Sequence, residues 1–262
     1  MSLENAFGIA AVLTEVAVVA LLVYRRVWRR LPVFFVYCIW ALASDALAYS
    51  IKLFSANGYS FNFYVVSTEL DVALQFSVLI ELAWSVLLPV RKNLSRKALW
   101  FVAALILAAG AAIWPFAGLS GVTVSSRAWH FIEQLQQTAS ILRVLFFLLL
   151  AACSQLLSLG WRDREMQVAT GFGFYSIVSL AVAALNTHLS TPEQINNVYR
   201  LVVVSFLASL LYWIFSFAQA EAERREFTPK MQSILLMLAE SARISRASLT
   251  DFAVAESQNS ER

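Results

Sequence analysis

The residues of this 262-residue chain able to do chemistry are ionisable side chains set inside long apolar runs. Glu15, Asp45, Glu69, Asp71, Glu133 and Arg143 each fall in such a run. A charge at the centre of a bilayer costs about 2.5–3.5 kcal/mol on insertion scales, so each is a functional hypothesis by default. Glu81 and Arg200 lie closer to the ends of their runs and are expected to snorkel towards water. Five deep acids face one firm base. Some of the acids must therefore be protonated, hydrated or neutralised by a bound cation, and close ones titrate as a set.

Spacing decides which of these groups meet. At about 100° per residue, His130, Glu133, Gln134, Gln136, Gln137, Ser140 and Arg143 fall in one half of a helical wheel, and Phe131, Leu135, Leu142, Leu145 and Phe146 in the other. The polar half is expected to look into a bundle. Thr68, Asp71 and Gln75 share a stripe, whereas Glu69 points roughly 200° from Asp71 and is expected in a second crevice. Arg143 is expected to pair with a carboxylate of a neighbouring helix, Asp71 or Asp45 ahead of Glu133. A purely structural reading, a hydrogen-bond network that fixes helix packing, stands beside the functional one.

Several chemistries are excluded. A retinal Schiff base needs a lysine in the last helix, and none of Lys52, Lys92, Lys97 or Lys230 lies there. His130 and His188 are too few for a histidine-rich metal centre and are weak evidence for haem. The Gly171 and Gly173 pair has no strand before it, so it is no dinucleotide fingerprint. Cys38 and Cys153 both fall inside apolar runs and offer neither a loop disulfide nor a paired metal motif. No cofactor and no metal is expected.

The elements that position these residues follow from composition. Hydrophobic residues make up 60% and charged residues 14%, against about a quarter charged in a soluble domain. Apolar stretches near 6–24, 33–54, 63–88, 98–116, 129–158, 167–187 and 196–219 are long enough to cross about 30 Å of hydrocarbon as helices. The spacing predicts an all-α polytopic membrane protein, a seven-helix transmembrane bundle over 1–220 with a cytoplasmic tail over 221–262. The arginines after the first run, with Glu4 before it, argue against a cleaved leader.

Sixteen of the 20 Lys and Arg cluster on alternate connections and the tail, which assigns that side to the cytoplasm and the N-terminus to the outside. Trp28, Trp84, Trp100 and Trp161 then mark the inner interface, and Tyr59, Tyr64, Trp114, Trp129 and Tyr199 the outer. The basic pI is an orientation signal, so no nucleic-acid partner is expected. In the tail, Thr228 and Pro229 read as a helix start, and Met231, Ile234, Leu235, Leu238 and Ala242 keep helical spacing to about Ser248. An amphipathic surface helix is expected there, able to lie on the membrane or dock a cytoplasmic protein, with disorder beyond it.

The stretches YRRVWRRLPVFFVY, FNFYVVSTELDVALQFSVLIEL and GWRDREMQVATGFGFYSIVSLAVAAL resemble a group of uncharacterised seven-helix membrane proteins common in Acidobacteria, over about residues 20–220. The resemblance implies the seven-helix topology and a bacterial cytoplasmic membrane. It assigns no activity, and Glu133 and Arg143 match no position of the group. In that group Trp often follows the third-helix Tyr, whereas Val65 follows Tyr64 here.

Two function classes remain. One is a sensory or regulatory membrane protein that admits a small or lipid-borne ligand to a polar pocket in the outer half of the bundle, built from Glu15, Asp45, Glu69, Asp71, Gln75, His130, Glu133, Gln137 and Arg143. The other is a transporter of protons, cations or a small solute that uses the buried carboxylates. An enzyme has the least support.

Overall fold

A computed structural model describes residues 3–54, 61–86, 97–117, 127–153, 163–186 and 192–219. Helices fill almost all of them: α1 (Leu3–Tyr24), α2 (Pro32–Phe54), α3 (Phe61–Val86), α4 (Lys97–Ala117), α5 (Arg127–Cys153), α6 (Arg164–Asn186) and α7 (Pro192–Ala218). No strand occurs among the described residues. The observed helices start and stop within a few residues of the apolar runs, and the last residues of the fifth run, 154–158, lie outside the described residues. Pro32 and Pro192 open their helices, where a missing N–H costs nothing. The expected tail helix over 228–248 lies outside the described residues.

Six of the seven, all but α3, are long and apolar enough to cross a membrane. Their outward surfaces carry Leu13, Val16, Leu47, Leu105, Leu149, Leu211 and Phe215, all exposed. Apolar surface on this scale suits lipid rather than water. At 26 residues α3 is just as long, but it carries Glu69, Asp71 and Glu81.

Packing explains where those charges go. Each helix packs against its neighbours in sequence, and α7 returns to α1, so the seven close into a ring. Helix α3 also reaches across to α5 and α6. The helix with three acids along its length is thus the one with the most helical partners, and over its C-terminal half Gln75, Val78, Leu79, Leu82, Ser85 and Val86 are buried.

The main core lies towards the end of the bundle that carries Arg25, Arg26, Arg29 and Arg30, here the basic end. Leu22, Leu31, Phe34, Leu82, Val168 and Phe217 are essentially inaccessible there. The ring of Phe34 stands edge-on to Trp213 at 5.2 Å, and Trp213 edge-on to Phe172 at 5.1 Å. Tyr37 closes on Phe172 at 5.3 Å. These aromatics of α2, α6 and α7 form a plug across the bundle, in the tilted and edge-to-face geometries that aromatic quadrupoles favour.

Candidate functional site

Anchors at the basic end set the depth of every polar group above them. Glu81 of α3 accepts the backbone N–H groups of Val33 at 2.7 Å and Phe34 at 2.8 Å, one on each carboxylate oxygen. Those N–H groups have no partner inside the first turn of a helix, and a carboxylate there also complements the helix dipole. Glu165, wholly buried in the first turn of α6, accepts from Arg30 at 3.1 Å and from the Ser85 hydroxyl at 2.5 Å. Arg164 donates to the carbonyls of Ser216 and Gln219 at 3.0 Å each, and Arg25 donates to the carbonyl of Ala218. Two arginines thus satisfy carbonyls at the end of α7 that its own helix leaves without partners.

About ten residues along each helix from Arg25, Phe34, Glu81 and Glu165 stand Glu15, Asp45, Asp71 and Tyr175. At 1.5 Å per residue that spacing puts all four roughly 15 Å from the basic end, at one level near the middle of the bundle. Asp71 is within electrostatic reach of Asp45 and of Arg143 on α5. Gln75 donates to Asp71 at 2.5 Å and orients its carboxylate.

Arg143 is buried and donates to the Ser140 hydroxyl at 2.9 Å. Its guanidinium stands 5.4 Å from the ring centroid of Tyr175 and 5.9 Å from that of Phe172. Among the described residues it forms no ion pair. The expected carboxylate contact is therefore replaced by two aromatic faces and a hydroxyl, which hold a flat, weakly hydrated cation well. The Nε and Nη1 donors of Arg143 have no hydrogen-bond partner.

A second group lies across the bundle. Glu15 is 3% exposed and close enough to Asp45 for the two carboxyl groups to share a hydrogen bond, and no N–H or hydroxyl donor reaches either of its oxygens. It borders a small crevice with Tyr37, Cys38, Ala41, Leu210 and Trp213. Cys38 is buried against this crevice as a small apolar residue.

The remaining candidates lie elsewhere. Gln137 bonds Glu133 at 3.4 Å, farther from the basic end along α5, and Gln134 donates to the carbonyl of Trp114 on α4 at 2.8 Å. The side chain of His130 lies outside the described residues. Glu69 is exposed on the outer side of α3 and joins none of these groups, and Gln136 is exposed on α5, so the polar half-wheel of α5 does not turn inward as a whole. Helix α5 keeps Ser140 and Arg143 inside together with the apolar Ile132, Ala139, Leu142 and Leu150.

Two further expectations change. Glu81 does not snorkel but caps α2. The run Asp163, Arg164, Glu165, of which only Arg164 entered the count of basic residues, is buried and ties α6 to the α1–α2 turn, to α3 and to α7. The available signal was an acid in the first turn of α6 on the same side as a four-arginine connection. Tyr37 and Tyr175, which complete the central cluster, carry no charge to distinguish them in an apolar sequence.

Long apolar helices around a polar centre define a multi-pass helical membrane protein. No family model, curated protein or solved structure matches the chain.

Proposed function

We propose that this is a sensory or regulatory protein of the bacterial cytoplasmic membrane that crosses it seven times, with its N-terminus outside and its C-terminus in the cytoplasm. A small or lipid-borne ligand enters from the outer side and reaches Arg143. The observation that carries this reading is the stripe on α5. Glu133, Gln137, Ser140 and Arg143 lead inward along one helix, and the stripe ends at Phe172, where the aromatic plug begins. A polar stripe that ends at an aromatic plug suits binding better than passage.

The chemistry of the site follows from the free donors. A ligand with a carboxylate, phosphate or carbonyl oxygen would occupy Nε and Nη1 of Arg143, the donors that lack partners, and would displace the guanidinium from the rings of Tyr175 and Phe172. Both rings belong to α6, which packs on α7 through Trp213, and the end of α7 leads into the tail. Movement of α6 against α7 is then the output, read by a cytoplasmic partner at the tail.

Seven crossings are supported by the contacts of α3 with α2, α4, α5 and α6, which let Asp71 and Glu81 meet protein rather than lipid while Glu69 stays exposed. The orientation rests on the arginines gathered at one end. Reporters fused after Phe227 and near Ser120 should behave as cytoplasmic and external respectively; the reverse pattern would invert the arrangement.

Glu15 favours the second reading, a transporter of protons, cations or a small solute, because two acids set against each other in the bundle, Glu15 and Asp45, are a natural proton or cation stop. Proteoliposomes carrying a pH or cation gradient separate the two. The sensory reading expects no protein-dependent flux; flux abolished by Glu15→Gln would establish transport in its place.

A further inference from the structure

The turn between α1 and α2 is built to present cations. Arg26 adopts left-handed backbone angles (φ 56°, ψ 24°), and a 3-10 turn, Val27–Arg29, follows at once. Backbone bonds from Arg29 to Arg26 and from Arg30 and Leu31 to Val27 close it, and Val27 and Leu31 are buried beneath it. Arg30 turns inward to Glu165. Tyr24, Arg25, Arg26, Trp28 and Arg29 are left exposed on one short, pinned segment. Arg25 lies against the Tyr24 ring and Arg29 against the Trp28 ring, at 5.9 and 5.3 Å from their centroids. Arg25, Arg26 and Arg29 make no ion pair among the described residues.

The turn joins the same-side ends of two helices that are long and apolar enough to span a bilayer, so it falls at headgroup depth. Tyr and Trp prefer that depth, and guanidinium groups bind phosphate oxygens through paired N–H donors. We propose that the α1–α2 turn is a binding site for the phosphodiester headgroup of an anionic phospholipid, held by Arg26 and Arg29 with Arg25 alongside. Trp28 and Tyr24 lie against the glycerol and upper acyl region. The inference rests on membrane insertion but on neither the sensory nor the transport reading, so the flux experiment and this one fail independently.

The test uses the full chain in detergent micelles, with retained lipid counted by native mass spectrometry after titration with dioleoyl phosphatidylglycerol or dioleoyl phosphatidylcholine. The wild type should retain phosphatidylglycerol in preference. R26Q/R29Q should lose that preference on the order of tenfold, given what each basic residue near an anionic surface contributes. A tail variant, R243Q/R246Q, should keep it, and inorganic phosphate at equal concentration should not compete. If R26Q/R29Q does not fold, Arg26→Gly, which suits the positive φ, should still lower retention several-fold. Equal retention of the two lipids, loss of preference only in the tail variant, an Arg26→Gly chain that binds as the wild type does, or displacement by inorganic phosphate would each overturn the proposal.

Discussion

Arg30 and Glu165 meet at 3.1 Å across 135 residues of sequence, and this ion pair joins the α1–α2 turn to the first turn of α6. Glu165 is fully buried whereas the side chain of Arg30 is 31% exposed, so the acid depends on the base more than the base on the acid. Ser85 completes the site from α3.

Removing Arg30 should therefore be costly. Arg30→Gln is expected to destabilise the bundle by about 2 kcal/mol, below the 3–5 kcal/mol of a fully buried pair because water already reaches Arg30. Adding Glu165→Gln should recover part of that loss. A double-mutant cycle on unfolding in detergent measures the coupling, and additive losses would show that the pair is not a unit.

Arg143 tests the central cluster. Since it stacks on Tyr175 and Phe172 and pairs with no described carboxylate, Arg143→Lys keeps the charge but loses the flat cation, and should cost about 1–2 kcal/mol. Asp71→Asn in the same background should change little. Thermal unfolding in detergent decides the point: if the lysine variant is as stable as the wild type, charge alone holds Arg143 in place.

Gly171 carries the contact between α6 and α7. A Cβ built there would overlap the indole of Trp213, whose N–H donates to the carbonyl of Gln167 at 3.2 Å. Gly171→Ala must push the indole away and should destabilise the bundle by about 1–3 kcal/mol, the range for overpacking a core. In a Trp213→Leu background the same change should cost much less. Equal costs in both backgrounds would mean that the indole is free to yield.

The helices were legible because the bilayer-length apolar run is a strong local signal: a backbone without water must satisfy itself within one segment. The sequence alone also located the acids inside those runs and the one-sided arginines. It could not say which polar groups meet, because a helix wheel shows a face but not what the face packs against. Glu69 and Asp71 illustrate the limit. The wheel set them on different faces, but that Glu69 is exposed rather than in a second crevice, and that Asp71 lies near Asp45 and Arg143, follows only from how α3 packs against α2, α5 and α6. Glu81 and Glu165 show the same limit at the basic end. Each looks like a surface acid near the end of its helix, and each gains its role, capping α2 or holding Arg30, only when helices distant in sequence bring a donor within reach.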